Sequence, residues 1–235
     1  MGTSQSFSLK TTPNWTEAKR AMTALTKPEG RTQSNFNRYL GSFSRAVSSD
    51  GGRIFGQAGA RTSTKFVSLI GDIREHGLQQ VVERLQAGIN FQDLSSKDIL
   101  LVLYKNIVGQ DDANIDDAAA KAAMDMVLTK IFSDCETPAE IDTIVHDATT
   151  DQIDGWILEF YVDYFMEFNA ELFQTHIFEK EADPDNVCGN IKDFTAAWFQ
   201  ENVKEEIGRI DIFSEDGKRY LKGLTDKILS IWAQK

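Results

Sequence analysis

The stretch Thr150-Asp-Gln-Ile-Asp-Gly-Trp-Ile-Leu-Glu-Phe-Tyr-Val-Asp-Tyr-Phe-Met-Glu-Phe-Asn-Ala-Glu-Leu172 decides the fold. Its apolar positions Trp156, Ile157, Phe160, Tyr161, Tyr164, Phe165, Phe168 and Leu172 recur three or four residues apart, the period of one helical face. A strand would alternate every second residue, and this stretch does not. Its acids, Asp151, Asp154, Glu159, Asp163, Glu167 and Glu171, are expected to form the opposite, solvated face.

The same period continues on both sides. Towards the C-terminus a loop is expected over 181–189, with Asp183-Pro-Asp185-Asn read as a turn. Asn190 and Asp193 then open a helix through Phe194, Trp198 and Ile207, and Ser214 precedes a last one through Tyr220, Leu221, Leu224, Ile228 and Trp232. Towards the N-terminus, Thr137, Pro138 and Glu140 supply a cap, a first-turn proline and a capping carboxylate together. Asn114 with Asp117 and Ser95 with Asp98 mark two more helix starts. Phe66, Leu69, Ile70 and Ile73 form a further stripe, with Gly77 a point of interruption before Leu78, Val81, Val82 and Leu85.

Pro13 and Asn14, with Glu17 three residues later, open a short helix through Ala18, Met22 and Leu25 that stops before Pro28. Phe36, Tyr39, Leu40, Phe43 and Val47 share the next helical face. A loop is expected over 48–59, where Gly51, Gly52, Gly56 and Gly59 stand among Ser, Arg and Ala. The first dozen residues hold too few apolar side chains to bury themselves and read as a flexible tail. The pattern therefore predicts an all-α protein: a compact bundle of eight or nine helices, with a tail over 1–12, short helices and a Gly/Arg-rich linker over 13–59, and the bundle proper over 60–235. No self-similar period of solenoid type is present.

The 235 residues carry 25 Lys plus Arg against 36 Asp plus Glu, a formal charge of −11. An acidic chain repels phosphates as a whole, which argues against a nucleic-acid-coating protein. The first 75 residues nevertheless hold 11 basic and 5 acidic residues, +6, leaving −17 for the rest. Such a split marks either a basic arm for a partner or two parts of one chain attracting each other. No apolar run reaches the length of a spanning helix and no secretory leader is legible at Met1, so a cytoplasmic protein away from the membrane is expected. Cys135 and Cys188 make neither a disulfide framework nor a zinc site and read as inert thiols.

Catalytic patterns are weak throughout. Gly51 to Thr62 superficially suggests a phosphate loop, but Arg61-Thr62 stands where Lys-Ser belongs, the glycine spacing is wrong and no strand precedes it. His76, His146 and His176 form no ligand pair, and no nucleophile elbow accompanies them. The acids of the long helix lack the Glu-x-x-His partners of a two-metal site, and the Asp183 turn lacks the glycine and glutamate of a calcium loop. The aromatic run reads as core rather than as a base-stacking platform. Neither a catalytic centre, a metal site nor a cofactor is expected.

One chemical handle remains, at the leading end. Met1-Gly2 predicts removal of the initiator, exposing a glycine amine. An α-amino group titrates near about 7.7–8.0, so of order a tenth is unprotonated at neutral pH, unlike a lysine. On a polar tether it is a competent nucleophile towards an activated acyl group. Gly2 with Ser6 also fits the N-myristoylation pattern, so lipid acylation stands as a competing reading.

Met1-Gly2-Thr3-Ser4, Pro13-Asn-Trp15, Gly59-Ala60-Arg61 and the run from Phe66 through Ile73-Arg-Glu-His-Gly-Leu78 together resemble the QatB family. These are small helical proteins of the four-component Qat antiphage defence system. The resemblance implies a function that composition does not. A partner, QatC, is similar to QueC, which activates 7-carboxy-7-deazaguanine with ATP and forms an amide with ammonia. With the Gly2 amine in place of ammonia, the product is a chain carrying a deazaguanine on its N-terminus. Thr3 and Ser4 are then read by the modifying enzyme, and the helical body supplies docking surface, alongside the QatA ATPase and the TatD-like nuclease QatD. The chain would be a substrate and assembly component, not an enzyme. The alternative is an unmodified helical adaptor that bridges defence proteins.

Overall fold

Thr149 starts the long helix with a reciprocal cap: its hydroxyl accepts from the Gln152 amide (3.3 Å) while the Gln152 side chain accepts from the Thr149 amide (2.8 Å). The coordinates are a computed structural model that describes residues 11–49, 54–88, 90–109, 114–181 and 183–235. In chain order the helices are α1 (Pro13–Thr26), α2 (Gln33–Ser49), α3 (Gln57–His76) and α4 (Leu78–Leu85). Then come α5 (Ser96–Val108), α6 (Ile115–Phe132), α7 (Pro138–Asp147) and α8 (Thr150–Phe168). Last are α9 (Ala170–Phe173), α10 (Pro184–Asn202), α11 (Lys204–Ile207) and α12 (Glu215–Ala233). No strand occurs among the described residues, as the 3.6-residue periodicity predicted.

Among the described residues, twelve α-helices exceed the eight or nine expected because three continuous apolar patterns are broken by single residues. Gly77, at φ 81°, ends α3 and begins α4. Asn169 splits the long aromatic pattern. Its buried side-chain amide donates to the Phe165 carbonyl (2.8 Å) and its oxygen accepts the Tyr39 hydroxyl (2.7 Å), so α8 stops and α9 resumes. A single π-helical turn, Gln174–Phe178, follows. At Val203 the backbone turns to φ −124° and ψ −38°, which ends α10 and sets off α11.

Three boundaries move. The Asp183-Pro184 turn is a helix start: Asp183 accepts from the Asn186 amide (3.3 Å) with Pro184 in the first turn, so α10 begins six residues before Asn190. The loop expected over 48–59 is shorter, since Ser48 and Ser49 belong to α2 and Gln57 to Gly59 to α3. Thr12, not Asn14, precedes α1, and Glu17 turns to Arg38 instead of capping the helix. The caps at Ser95, Asn114, Thr137 and Ser214 are where the sequence puts them.

Helix α8 lies at the centre, with α6 and α10 against it; α12 packs on α2 and α3, and α1 lies along α2. Phe43 is a hub of the core, in edge contact with Trp15, Phe55, Phe165, Phe168 and Trp232. Each buried ring contributes roughly 2–3 kcal/mol by leaving water. This centrality overturns one expectation: the acids of α8 are not all solvated. Asp154 and Asp163 are 3% and 4% exposed, because a central helix covered by neighbours on several sides has little room for a wet face. Asp163 is compensated by Lys192 of α10 at 2.7 Å.

Candidate functional site

The glycine-rich start of α3 is closed from inside. Gly56 adopts φ 112°, and its amide donates to the Asp116 carboxylate (2.9 Å) and to the Tyr164 hydroxyl (2.8 Å). The Ala58 amide donates to the other Asp116 oxygen (2.8 Å), and the Tyr164 hydroxyl donates to Asp116. A protein carboxylate thus sits on the amides that a phosphate loop would present to a ligand. Burial pushes the Asp116 carboxyl up, against the pull of its three donors, and pushes the Tyr164 phenol well above its ordinary range. Gly59 is there for closeness, not for turning: a Cβ would collide with the Tyr164 ring, on which Phe55 stacks at 4.6 Å. Next door, Arg61 pairs with Asp117.

Outside this joint lies a cavity of about 400 Å³ between α3 and α12, bounded by Arg61, Lys65, Lys222, Thr225 and Asp226. A second, of about 410 Å³, lies where the described chain begins. It is lined by Thr11, Thr16, Lys19, Arg20, Thr23, His176 and Lys180, three cations and a histidine with no carboxylate on the wall. Burial, with the nearby Lys180 and Lys19, holds the His176 imidazole below its usual value. Lys180 reaches its Nδ1 at 3.5 Å.

The residues singled out for modification and recognition, Gly2, Thr3 and Ser4, lie outside the described residues, as does the tail over 1–10. The three histidines are apart and locally engaged, His76 with the Asp72 carbonyl (3.3 Å) and His146 with Asp142 (3.9 Å) in the last turn of α7. Cys135 and Cys188 are free and half-buried, and burial pushes both thiols up, away from reactivity. Among the described residues no group of three or more His, Cys, Asp or Glu could hold a metal ion, and no helix is long and apolar enough to cross a membrane. Sequence reasoning missed the role of Asp116: it follows a cap, and nothing local says that it turns inward to another helix. It also missed Asp154, whose Oδ1 is buried without a hydrogen-bond partner and whose carboxyl, chiefly through burial, is pushed up to about 6.

The family model described as "QatB: Qat anti-phage system associated protein QatB" matches residues 56–230, 175 of the 235. The chain belongs to the QatB family. That makes it a component of the Qat antiphage system. The matched stretch opens at Gly56, the residue that caps α3, and runs nearly to the end of α12. Of the motifs that first suggested the family, those from Gly59 to Leu78 fall inside it, while Met1 to Ser4 and Pro13 to Trp15 fall outside. No curated relative and no solved structure matches the chain.

Proposed function

We propose that this QatB-family chain is a non-catalytic defence component that serves as the acceptor in an acylation at the Gly2 amine, carried out by the QueC-like partner of its system. Membership of the family is the observation that carries the reading. One structural fact supports it: Thr11 and Thr12 are exposed, so the chain enters α1 from the surface.

The carboxylate of 7-carboxy-7-deazaguanine attacks the α-phosphorus of ATP on the partner, the bond to the β-phosphate oxygen breaks, pyrophosphate leaves, and an acyl-AMP is formed. The unprotonated Gly2 nitrogen attacks the carbonyl carbon, the C–N bond forms, and the C–O bond to AMP breaks with its electron pair leaving on the phosphate. The surplus amine proton passes to solvent. Thr3 and Ser4 present hydroxyls and backbone amides to the enzyme along the threaded segment.

Intact mass tests the reading. The expected result is a gain on the N-terminal peptide that requires partner, carboxylate substrate and ATP together, and that disappears in Gly2→Phe. No gain, or one that survives Gly2→Phe, overturns it. Deleting residues 1–12 abolishes phage resistance on this reading, whereas a plain adaptor keeps it.

A further inference from the structure

Two acids near the start of α8 share one side of the helix and meet opposite surroundings. Asp151 is exposed, whereas Asp154 is buried and its Oδ1 has no hydrogen-bond partner. Side chains at this spacing are neighbours, roughly 5–6 Å apart at Cβ. Helix α11 packs on α8. The Gly208 turn that ends α11 passes over the buried carboxylate, where a Cβ would stand 3.9 Å from Asp154 Oδ2. At the other end of α11, Lys204 places its Nζ 3.3 Å from Asp151 Oδ1. The cation therefore rests on the acid that water already stabilises and leaves the buried one without it.

The other charges around this joint are engaged elsewhere. Within α11, Glu205 pairs with Arg209, and Glu206 pairs with Lys227 of α12 and accepts from the Tyr220 hydroxyl (3.1 Å). Lys130 of α6 pairs with Glu159 and Lys192 of α10 with Asp163, both further along α8. Burial and then the Asp151 charge push the Asp154 carboxyl up to about 6, and Lys204 pulls against them. As the pH rises through this value, the preference of the cation inverts. An exposed ion pair is worth little, since water and salt screen it. A buried carboxylate left alone is costly, and the same cation is worth more to it because the local dielectric is lower.

We propose that Lys204 is a proton-linked switch: it rests on Asp151 while Asp154 is neutral and moves across to Asp154 when Asp154 ionises, drawing the first turn of α11 against α8. The movement needed is one spacing along a helical face, within the swing of a four-carbon side chain. The backbone break at Val203 lies just before Lys204, so α10 does not have to bend with it. On its far side α11 is held to α12 through Glu206, which passes the shift on to Tyr220 and Lys227.

The test is an NMR titration of the full-length protein from about pH 5 to about pH 8, following the Asp154 carboxyl carbon and the amides of Lys204 to Gly208. Wild type, Asp154→Asn and Lys204→Met are compared. In the wild type the carboxyl and the amides are expected to share one midpoint at about 6. Asp154→Asn abolishes the amide response. Lys204→Met raises the Asp154 midpoint by about 0.5 or more and cuts the amide response at least about twofold. An amide response in Lys204→Met as large as in the wild type overturns the switch, because it reports only the field of the carboxylate. An Asp154 midpoint that Lys204→Met leaves unchanged, or wild-type amides that do not respond, overturns it equally. If Lys204→Met melts early, Lys204→Gln carries the same comparison with the same overturning outcomes.

Discussion

The start of α3 and the start of α1 look alike on paper, each a polar, basic, turn-rich lead into a helix, and they are opposites in space. At α3 the amides of Gly56 and Ala58 are taken up by Asp116, Tyr164 is locked onto the same carboxylate, and Gly59 brings the helix against the ring. At α1 no side chain caps the helix, Thr11 and Thr12 are exposed, and the neighbouring wall is cationic. The difference teaches that a glycine-rich, ligand-like motif is silent when the protein supplies its own anion. An unremarkable polar lead can instead border a cleft lined by cations.

The comparison breaks most sharply at Asp116. Replacing it with Ala leaves the buried Ala58 amide without its acceptor, leaves the Gly56 amide with the Tyr164 hydroxyl alone, and strips that hydroxyl of its own acceptor. The expected loss is about 3–5 kcal/mol in urea unfolding, large enough to threaten folding outright. A loss under about 1 kcal/mol would mean that the joint is open to water and that α3 does present its N-terminus to solvent.

Asp154 sharpens it in the other direction, as a buried carboxylate that is not fully satisfied. Its carboxyl titrates at about 6 in the folded chain against about 3.9 unfolded. The folded state therefore holds the proton more tightly, and the stability associated with that proton is lost as pH rises from about 4 to about 6. Asp154→Asn should accordingly be more stable than wild type at pH 8, by on the order of 1–2 kcal/mol after allowance for the nearby Lys204, with the gain vanishing near pH 4. A gain of equal size at both pH values would show that the carboxylate is neutralised by something else.

The smallest effect belongs to the open region. Arg38 and Glu17 are a surface pair between α1 and α2, both sides substantially exposed. Arg38→Ala should shift stability by less than about 0.5 kcal/mol and should do so less at high salt. A larger change would make the chain root a packed joint like the start of α3.

Much of this architecture is written locally. Period and caps at Ser95, Asn114, Thr137 and Ser214 predicted helices that the structure contains, because a cap and a repeating apolar face depend on residues only a few positions apart. The Asp183-Pro184 start was equally legible as a cap followed by a first-turn proline, but reads as a turn when calcium loops and loops are weighed first. The splits at Asn169 and Val203 were not legible. Asn169 breaks α8 in company with Tyr39, 130 residues away, and no window of sequence contains both.

The chain by itself determined its all-helical class, most of its caps, its acidic balance with a basic first third, and enough local pattern to suggest the family that the match over 56–230 then established. Tertiary structure alone decided that Asp116 closes the α3 amides, that Asp154 and Asp163 are buried, and that Lys19, Arg20 and Lys180 face one cleft. The physical reason is range. Periodicity and capping act within a turn or two of helix, whereas the burial of a charge and the meeting of cations are set by which distant helices pack together.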